Sequence, residues 1–232
     1  MKKAIFIFFL LMPFLVYAED VSTVTKYYKT ISTLPYNSNK IQSTTYEITG
    51  EEYENAEEPE RNNIIIETTY KKLTVTITHL TNAYKYKAKL HWKLIPAVRS
   101  YDIMSIGYFA SVTPAVDPEF IQEYCNVDGN CYESHTHYLK TSSTGLGAMF
   151  HLPSGNLSSL DQTFQVIVTK TNPNSTIISQ KATADYSHAT QTISYNNAKK
   201  FTVSIGGISL DSTILSYYDG ISCAEATWNG TW

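Results

Sequence analysis

The chain has 232 residues, 43% of them hydrophobic, with 18 tyrosines and a formal net charge of −3. A mildly acidic chain with just two arginines, Arg61 and Arg99, lacks the clustered basic surface that binding to a phosphate backbone needs, and this sets nucleic acid aside as a partner. The length suffices for a sizeable β core, and no apolar run after residue 18 approaches the roughly 20 residues of a membrane span.

The N-terminus reads as a secretory signal. Lys2 and Lys3 form a positive start, Ala4 to Val16 an apolar core, and Val16-Tyr17-Ala18 a small-residue cleavage site before Glu19. No cysteine follows the cleavage point, so a lipid anchor is not expected. Residues 19–232 are then expected to be a single extracellular β-sandwich domain in a compartment that permits disulfides. Its first piece, Val21 to Ile48, is too short for a core of its own. Thr49-Gly-Glu-Glu52 matches a capping box, with Thr49 as N-cap, and predicts a short helix to about Ala56. The helix opens an acidic loop at 50–61, in which residues 51–61 hold six glutamates; such a run reads as a solvated charge stretch rather than a calcium site.

Period-two alternation then takes over. Leu73, Val75, Ile77 and His79 alternate with Thr74, Thr76 and Thr78, which predicts a half-buried strand. After a turn at Thr81-Asn82, Tyr84, Tyr86, Ala88, Leu90, Trp92 and Leu94 share one face, and Lys85, Lys87, Lys89, His91 and Lys93 the other. That strand ends at Pro96, which cannot donate to a ladder. Arg99 opens the next strand and is expected to pair with Asp102 or to cap the turn carbonyls. The stretch Trp92-Lys-Leu-Ile-Pro96-Ala-Val-Arg99-Ser-Tyr-Asp102, with the signal, resembles a pattern in uncharacterised secreted proteins of Gram-positive bacteria over about residues 70–110. That resemblance implies a location and no activity. Tyr101 to Ala110 is apolar on both faces, as a central strand covered twice would be.

Asp117 to Tyr124 is expected to hold a turn of helix. Cys125 and Cys131 flank Asn-Val-Asp-Gly-Asn, and Asp128-Gly129 is a hairpin signal. A two-residue turn there would set Cys125 opposite Tyr132. A loop centred on Asp128 sets it opposite Cys131 and predicts a disulfide, a local staple of about 2 kcal/mol. Cys223 is left over, either as a buried free thiol or paired with another chain. In a strand, Glu133, His135 and His137 would share one face and offer three ligands to a metal, with His151 as a fourth. No H-E-x-x-H or G-x-S-x-G run accompanies them. Further strands are expected at Phe164–Lys170 and Thr176–Ala184 around the turn Asn172-Pro173-Asn174-Ser175. Two more are expected at Thr190–Tyr195 and Lys199–Ile205 around Asn196-Asn197. Asp185-Tyr-Ser-His188 places acid, hydroxyl and base close in sequence, although triads assemble in space rather than in runs.

Short strands, Gly/Pro/Asn turns and little helix together point to an all-β fold, an antiparallel β-sandwich. The expected function is a secreted, non-catalytic binding or surface-interaction module for a cell-surface glycan, wall polymer or protein. Its aromatic contact residues would be Tyr132, Tyr138, Tyr217, Tyr218, Trp228 and Trp232. No cofactor is called for. The rivals are a metal-dependent hydrolase built on Glu133, His135 and His137, and an extracellular structural protein assembling through a strand edge.

Overall fold

The computed structural model describes residues 20–36, 40–57 and 65–232; the expected signal at residues 1–18 and Arg61 lie outside them. Two antiparallel sheets pack face to face. The first holds eight strands: β1 (Asp20–Thr33), β2 (Gln42–Ile48), β3 (Ile65–Leu80), β4 (Ala83–Leu94), β6 (Val112–Pro114), β7 (Glu119–Asn126), β8 (Cys131–Ser134) and β11 (Leu157–Lys170). Their order is β2-β1-β3-β4-β11-β7-β8, with β6 also on β11. The second sheet runs β15-β12-β5-β10-β9, from β5 (Tyr101–Tyr108), β9 (Tyr138–Ser142), β10 (Gly145–His151), β12 (Ser179–Ser187) and β15 (Ser222–Asn229). A helical turn α1 (Gly50–Glu54) follows β2. A helical turn α2 (Tyr195–Ala198) and a hairpin of β13 (Phe201–Ser204) and β14 (Gly207–Leu210) lie between β12 and β15.

The alternation in β3 and β4 is the source of the core. Leu73, Val75, Ile77, Tyr84, Tyr86, Ala88, Leu90 and Trp92 are buried, while the threonines and lysines between them face out. Opposite them the second sheet presents Met104, Ile106 and Tyr108 together with Ala148, Ala182, Ala184, Ala224 and Ala226. Small residues on one sheet leave room for aromatic rings on the other, which is how two pleated faces reach interior packing density. The odd-numbered face of β5 is covered as well. Ile103 and Met149 join Ala189, Ile193, Ala198, Phe201, Val203, Ile208, Ile214 and Tyr218 in a second apolar cluster beneath the hairpin. β5 is thus central and double-covered, as its sequence predicts. Gly107 permits the close approach, since a Cβ there would sit 2.5 Å from the Ser204 carbonyl oxygen.

Local chemistry sets several junctions. Thr49 accepts the Glu52 N–H and starts α1. Thr81 and Asn82 form the β3–β4 turn. The Asn172 side chain accepts the Asn174 N–H in the β11–β12 turn. Cys125 pairs with Cys131 across β7 and β8, and the disulfide is formed. The loop between them is closed by Asn126 N–H to Asn130 O, with Gly129 at φ +83°.

Two local expectations are corrected, and one strand appears that none anticipated. Residues 119–126 form strand β7 rather than helix, because Phe120 and Gln122 turn inward and the segment pairs with β11 along its length. Thr190–Tyr195 is not a strand. Ser194 caps the turn α2 by accepting the Asn197 N–H, and Asn196 and Asn197 are helical. The C-terminal segment is a strand, β15. Its buried Ser222, Ala224, Ala226 and Trp228 are mostly small, which masks the alternation.

Candidate functional site

The six aromatic residues expected to form a contact platform lie apart, and this corrects the expectation. Trp228 is 5% exposed, packed on His79 and Tyr84 between the sheets. Trp232 packs edge-on to Tyr84, and its backbone is paired with Ile177. Tyr218 is also 5% exposed and donates to the Tyr101 carbonyl, and Tyr217 packs on the second cluster. Tyr138 neighbours Tyr195, and the Lys199 ammonium lies 4.5 and 3.8 Å from their ring centroids. Tyr132 is well exposed and stacks on Tyr124 beside the disulfide.

The proposed metal ligands do not share a strand face, because β8 stops at Ser134. His135 Nε2 is bonded to Glu133 Oε1 at 2.6 Å. The His137 ring is engaged with the His135 carbonyl and lies near Phe120. His151 is held at the Leu152 carbonyl. Among the described residues no group of three or more His, Cys, Asp or Glu side chains is gathered for a metal ion.

What the strands do assemble is a polar groove on the outer face of the large sheet. Pairing aligns Tyr27, Lys72, His91, Asp161, Glu123 and Glu133 in one row. The next rows hold Thr25, Thr74, Lys89 and Thr163, then Thr23, Thr76, Lys87 and Gln165. The facing threonine hydroxyls bond to each other at 3.0 and 3.2 Å. The groove encloses about 640 Å³ over Lys72, Thr74, Thr76, Lys87, Lys89, His91 and Asp161. A second hollow of about 500 Å³ shares Lys89 and Asp161 and reaches Glu123, Glu133, Tyr132 and the disulfide. Helix α1 closes the other end, where Tyr53 packs on Tyr27 and beneath Lys93.

Charge is distributed unevenly along this face. Burial alone would raise the pKa of Asp161, but His91 at 3.1 Å and Lys89 at 3.6 Å hold the carboxyl below its ordinary value. Asp161 therefore stays ionised and offsets part of the Lys89 charge. Lys85 and Lys87 make no ion pair with any described residue. Successive lysines on β4 are two residues apart, so cations recur about every 7 Å along the strand.

A different set of polar groups is buried between the sheets at one end. Asp102 accepts from Tyr186 Oη at 2.6 Å, from the Ala189 N–H at 2.9 Å and from His188 Nδ1 at 2.9 Å. Asp219 accepts the His188 N–H at 2.8 Å and contacts the Lys71 ammonium. Asp102 makes no ion pair with Arg99. Burial, outweighing the pull of Glu67 and Asp102, lowers the Arg99 pKa. The acid beside His188 is thus Asp102, while Asp185 accepts the Ile208 N–H instead. His188 Nε2 is buried and makes no hydrogen bond. A hydrolytic relay needs a nucleophile at that nitrogen, and here the Trp92 ring packs edge-on at 5.1 Å.

Burial is the largest influence on His188 and opposes its charge. The Asp102 carboxylate, supported by Asp219 and Glu67, outweighs burial and raises the pKa above the ordinary 6.5. A raised folded-state pKa contributes stability that is complete below the unfolded value and lost as pH rises through the folded one. Wild type is therefore expected to lose its stability advantage over His188→Gln as pH rises above about 6.5. Urea midpoints of both proteins across neutral and mildly alkaline pH check this, and a pH-independent difference would refute it. Cys223 is an exposed residue. Its thiol lies beside Asp185, and burial of the sulfur together with that carboxylate pushes it up to about 12.

No helix among the described residues is long and apolar enough to cross a membrane. No protein-family model matches the chain. No curated protein matches it either. Among solved structures, it is similar to a collagen-binding domain from a Staphylococcus aureus adhesin, at 7% identity and a TM-score of 0.32, over 46% of this chain and 75% of that one. It is also similar to AvmM, described as catalysing macrocyclization in alchivemycin A biosynthesis, at 8% identity and a TM-score of 0.27, over 63% and 80% of the two chains. At these scores neither likeness bears on what the chain binds or does.

Proposed function

We propose that this protein is a secreted, non-catalytic β-sandwich that holds an anionic cell-surface glycan against the outer face of its large sheet. The observation that carries this reading is the open groove over Lys72, Lys87 and Lys89, floored by threonine hydroxyls. An extended polymer lying along β4 meets a cation about every 7 Å, with hydroxyl groups beside each one. The acidic side of the same face, at Glu119, Glu123 and Glu133, favours one placement of a charged chain over the other. The disulfide suits an oxidising compartment outside the cell, in keeping with the N-terminal signal and the resemblance to secreted Gram-positive proteins.

Sedimentation with insoluble acidic and neutral polysaccharides tests the proposal. The expected result is binding to the acidic polymer that weakens as salt is raised. Lys87→Glu/Lys89→Glu should reduce it at least about tenfold, or about 1.4 kcal/mol, while Tyr132→Ala leaves it nearly unchanged. Binding that ignores charge reversal, or no binding to any acidic polymer, would overturn the reading.

A further inference from the structure

Lys71 and Asp219 stand out in the interior. Lys71 follows the inward face of β3, below Leu73 and Val75, and both side chains have 0% exposure. The Lys71 ammonium contacts Asp219 Oδ2. Around it stand the rings of Trp92 and Tyr186, with centroids at 5.7 and 5.8 Å. The carboxyl is fixed on every side. Oδ1 accepts the His188 N–H at 2.8 Å and Oδ2 accepts the Thr30 hydroxyl at 3.3 Å. The Asp219 N–H itself donates to the His188 carbonyl at 2.9 Å.

We infer that Lys71 and Asp219 join covalently, as an intramolecular isopeptide bond between Nζ and Cγ. In water an amine and a carboxylic acid are held apart as hydrated ions. Here both are stripped of water, and burial penalises each charge. Proton transfer from the ammonium to the contacting Oδ2 gives a neutral amine and a neutral acid. Nζ then attacks Cγ and the N–C bond forms. The developing oxyanion on Oδ1 already faces the His188 N–H, the kind of preorganised donor that stabilises such a charge. The Cγ–Oδ2 bond breaks, and the hydroxyl leaves as water with a proton from the nitrogen. No oxidant or co-reactant is needed. Fixed contact between the reacting groups replaces a bimolecular encounter, which raises their effective concentration by orders of magnitude. The product is a neutral amide where two buried charges stood. It pins β3 of the large sheet to the segment entering β15 of the other, across 148 residues.

Mass spectrometry of the full chain tests this, under denaturing and reducing conditions with the N-terminus determined. The expected intact mass is one water below that of the sequence. Trypsin finds no Lys or Arg after Lys200, so the digest should contain residues 62–72 branched to residues 201–232. Lys71→Arg should restore the full mass and release the two peptides. Full mass and separate peptides in folded wild type would overturn the inference. So would a water loss that persists in Lys71→Arg, because it would place a succinimide at Asp128-Gly129 or Asp219-Gly220.

Discussion

Asp219→Ala is expected to destabilise the fold by about 3–5 kcal/mol, because it leaves the Lys71 ammonium buried without its partner. The same change strips the acceptor from the His188 N–H, whereas the Thr30 hydroxyl keeps its bond to Thr45. That orphaned N–H adds its own desolvation penalty. Urea unfolding reads the loss as a lower midpoint, and a shift worth less than about 1 kcal/mol would contradict this description of the cluster. A second variant separates the contributions. Lys71→Met/Asp219→Asn removes both charges, keeps an oxygen for the His188 N–H and sets an amide NH2 against the Thr30 hydroxyl, which can accept from it. With an ion pair alone, the double replacement recovers most of the loss, since apolar substitutes for buried pairs are often neutral. With a covalent bond in wild type, both variants fall well short of it, because both lose a cross-link that restricts the unfolded chain.

Gly207→Ala is expected to cost about 3 kcal/mol or more, and locally. Gly207 has φ +99°, a conformation that alone costs a non-glycine residue about 1–3 kcal/mol. A Cβ there would lie 1.4 Å from Asp185 Oδ2, an oxygen that accepts the Ile208 N–H. The carboxyl must move, and the bond that seats β14 on the second sheet goes with it, worth about a further 1–3 kcal/mol when a buried group is orphaned. Gly155→Ala is the control. Its φ is also +99°, but nothing lies within 4 Å of its Cβ, so it carries the backbone cost alone. The damage in Gly207→Ala should appear as faster proteolysis between residues 189 and 218, where the second apolar cluster loses its cover. Equal stability of the two variants would mean that the hairpin is not seated on Asp185 in this way.

Much of the architecture was legible from residue order, because the pattern that encodes a half-buried strand is local. The alternation from Leu73 to Leu94 fixed two strands, their turn and their inward faces. The loop arithmetic around Asp128 fixed the Cys125–Cys131 register. The apolar run from Tyr101 gave a doubly covered strand. The errors arose where local preference was outvoted. Asp117 to Tyr124 was expected to hold a turn of helix, but a long antiparallel neighbour, β11, was available to it. β15 was missed because alanine and serine carry little hydrophobic contrast, although Ser222, Ala224 and Ala226 alternate inward.

The candidate site divides the same way. The lysine and threonine faces of β3 and β4 were visible in the sequence as the polar halves of alternating strands. That they adjoin Asp161 and Glu123 in one groove depends on β11 and β7 arriving alongside, from far along the chain. The aromatic platform failed because composition counts rings without saying which are consumed by packing. Trp228 and Tyr218 fill the interior. The buried charges left a signal that went unread. Continuing the inward face from Val75 and Leu73 reaches Lys71, from Ile106 and Met104 reaches Asp102, and from Tyr186 reaches His188.

The sequence by itself determined the all-β class, most strand faces, the capped turn at Thr49 and the disulfide loop. Each of these depends on neighbours within a few residues, where backbone geometry and side-chain alternation are enough. The tertiary structure alone decided that Lys71 meets Asp219, that Asp102 rather than Asp185 holds His188, and which face stays open. Those outcomes depend on strand order and sheet packing, which bring together residues up to 148 positions apart, and no local pattern specifies which distant partner will fill a buried position.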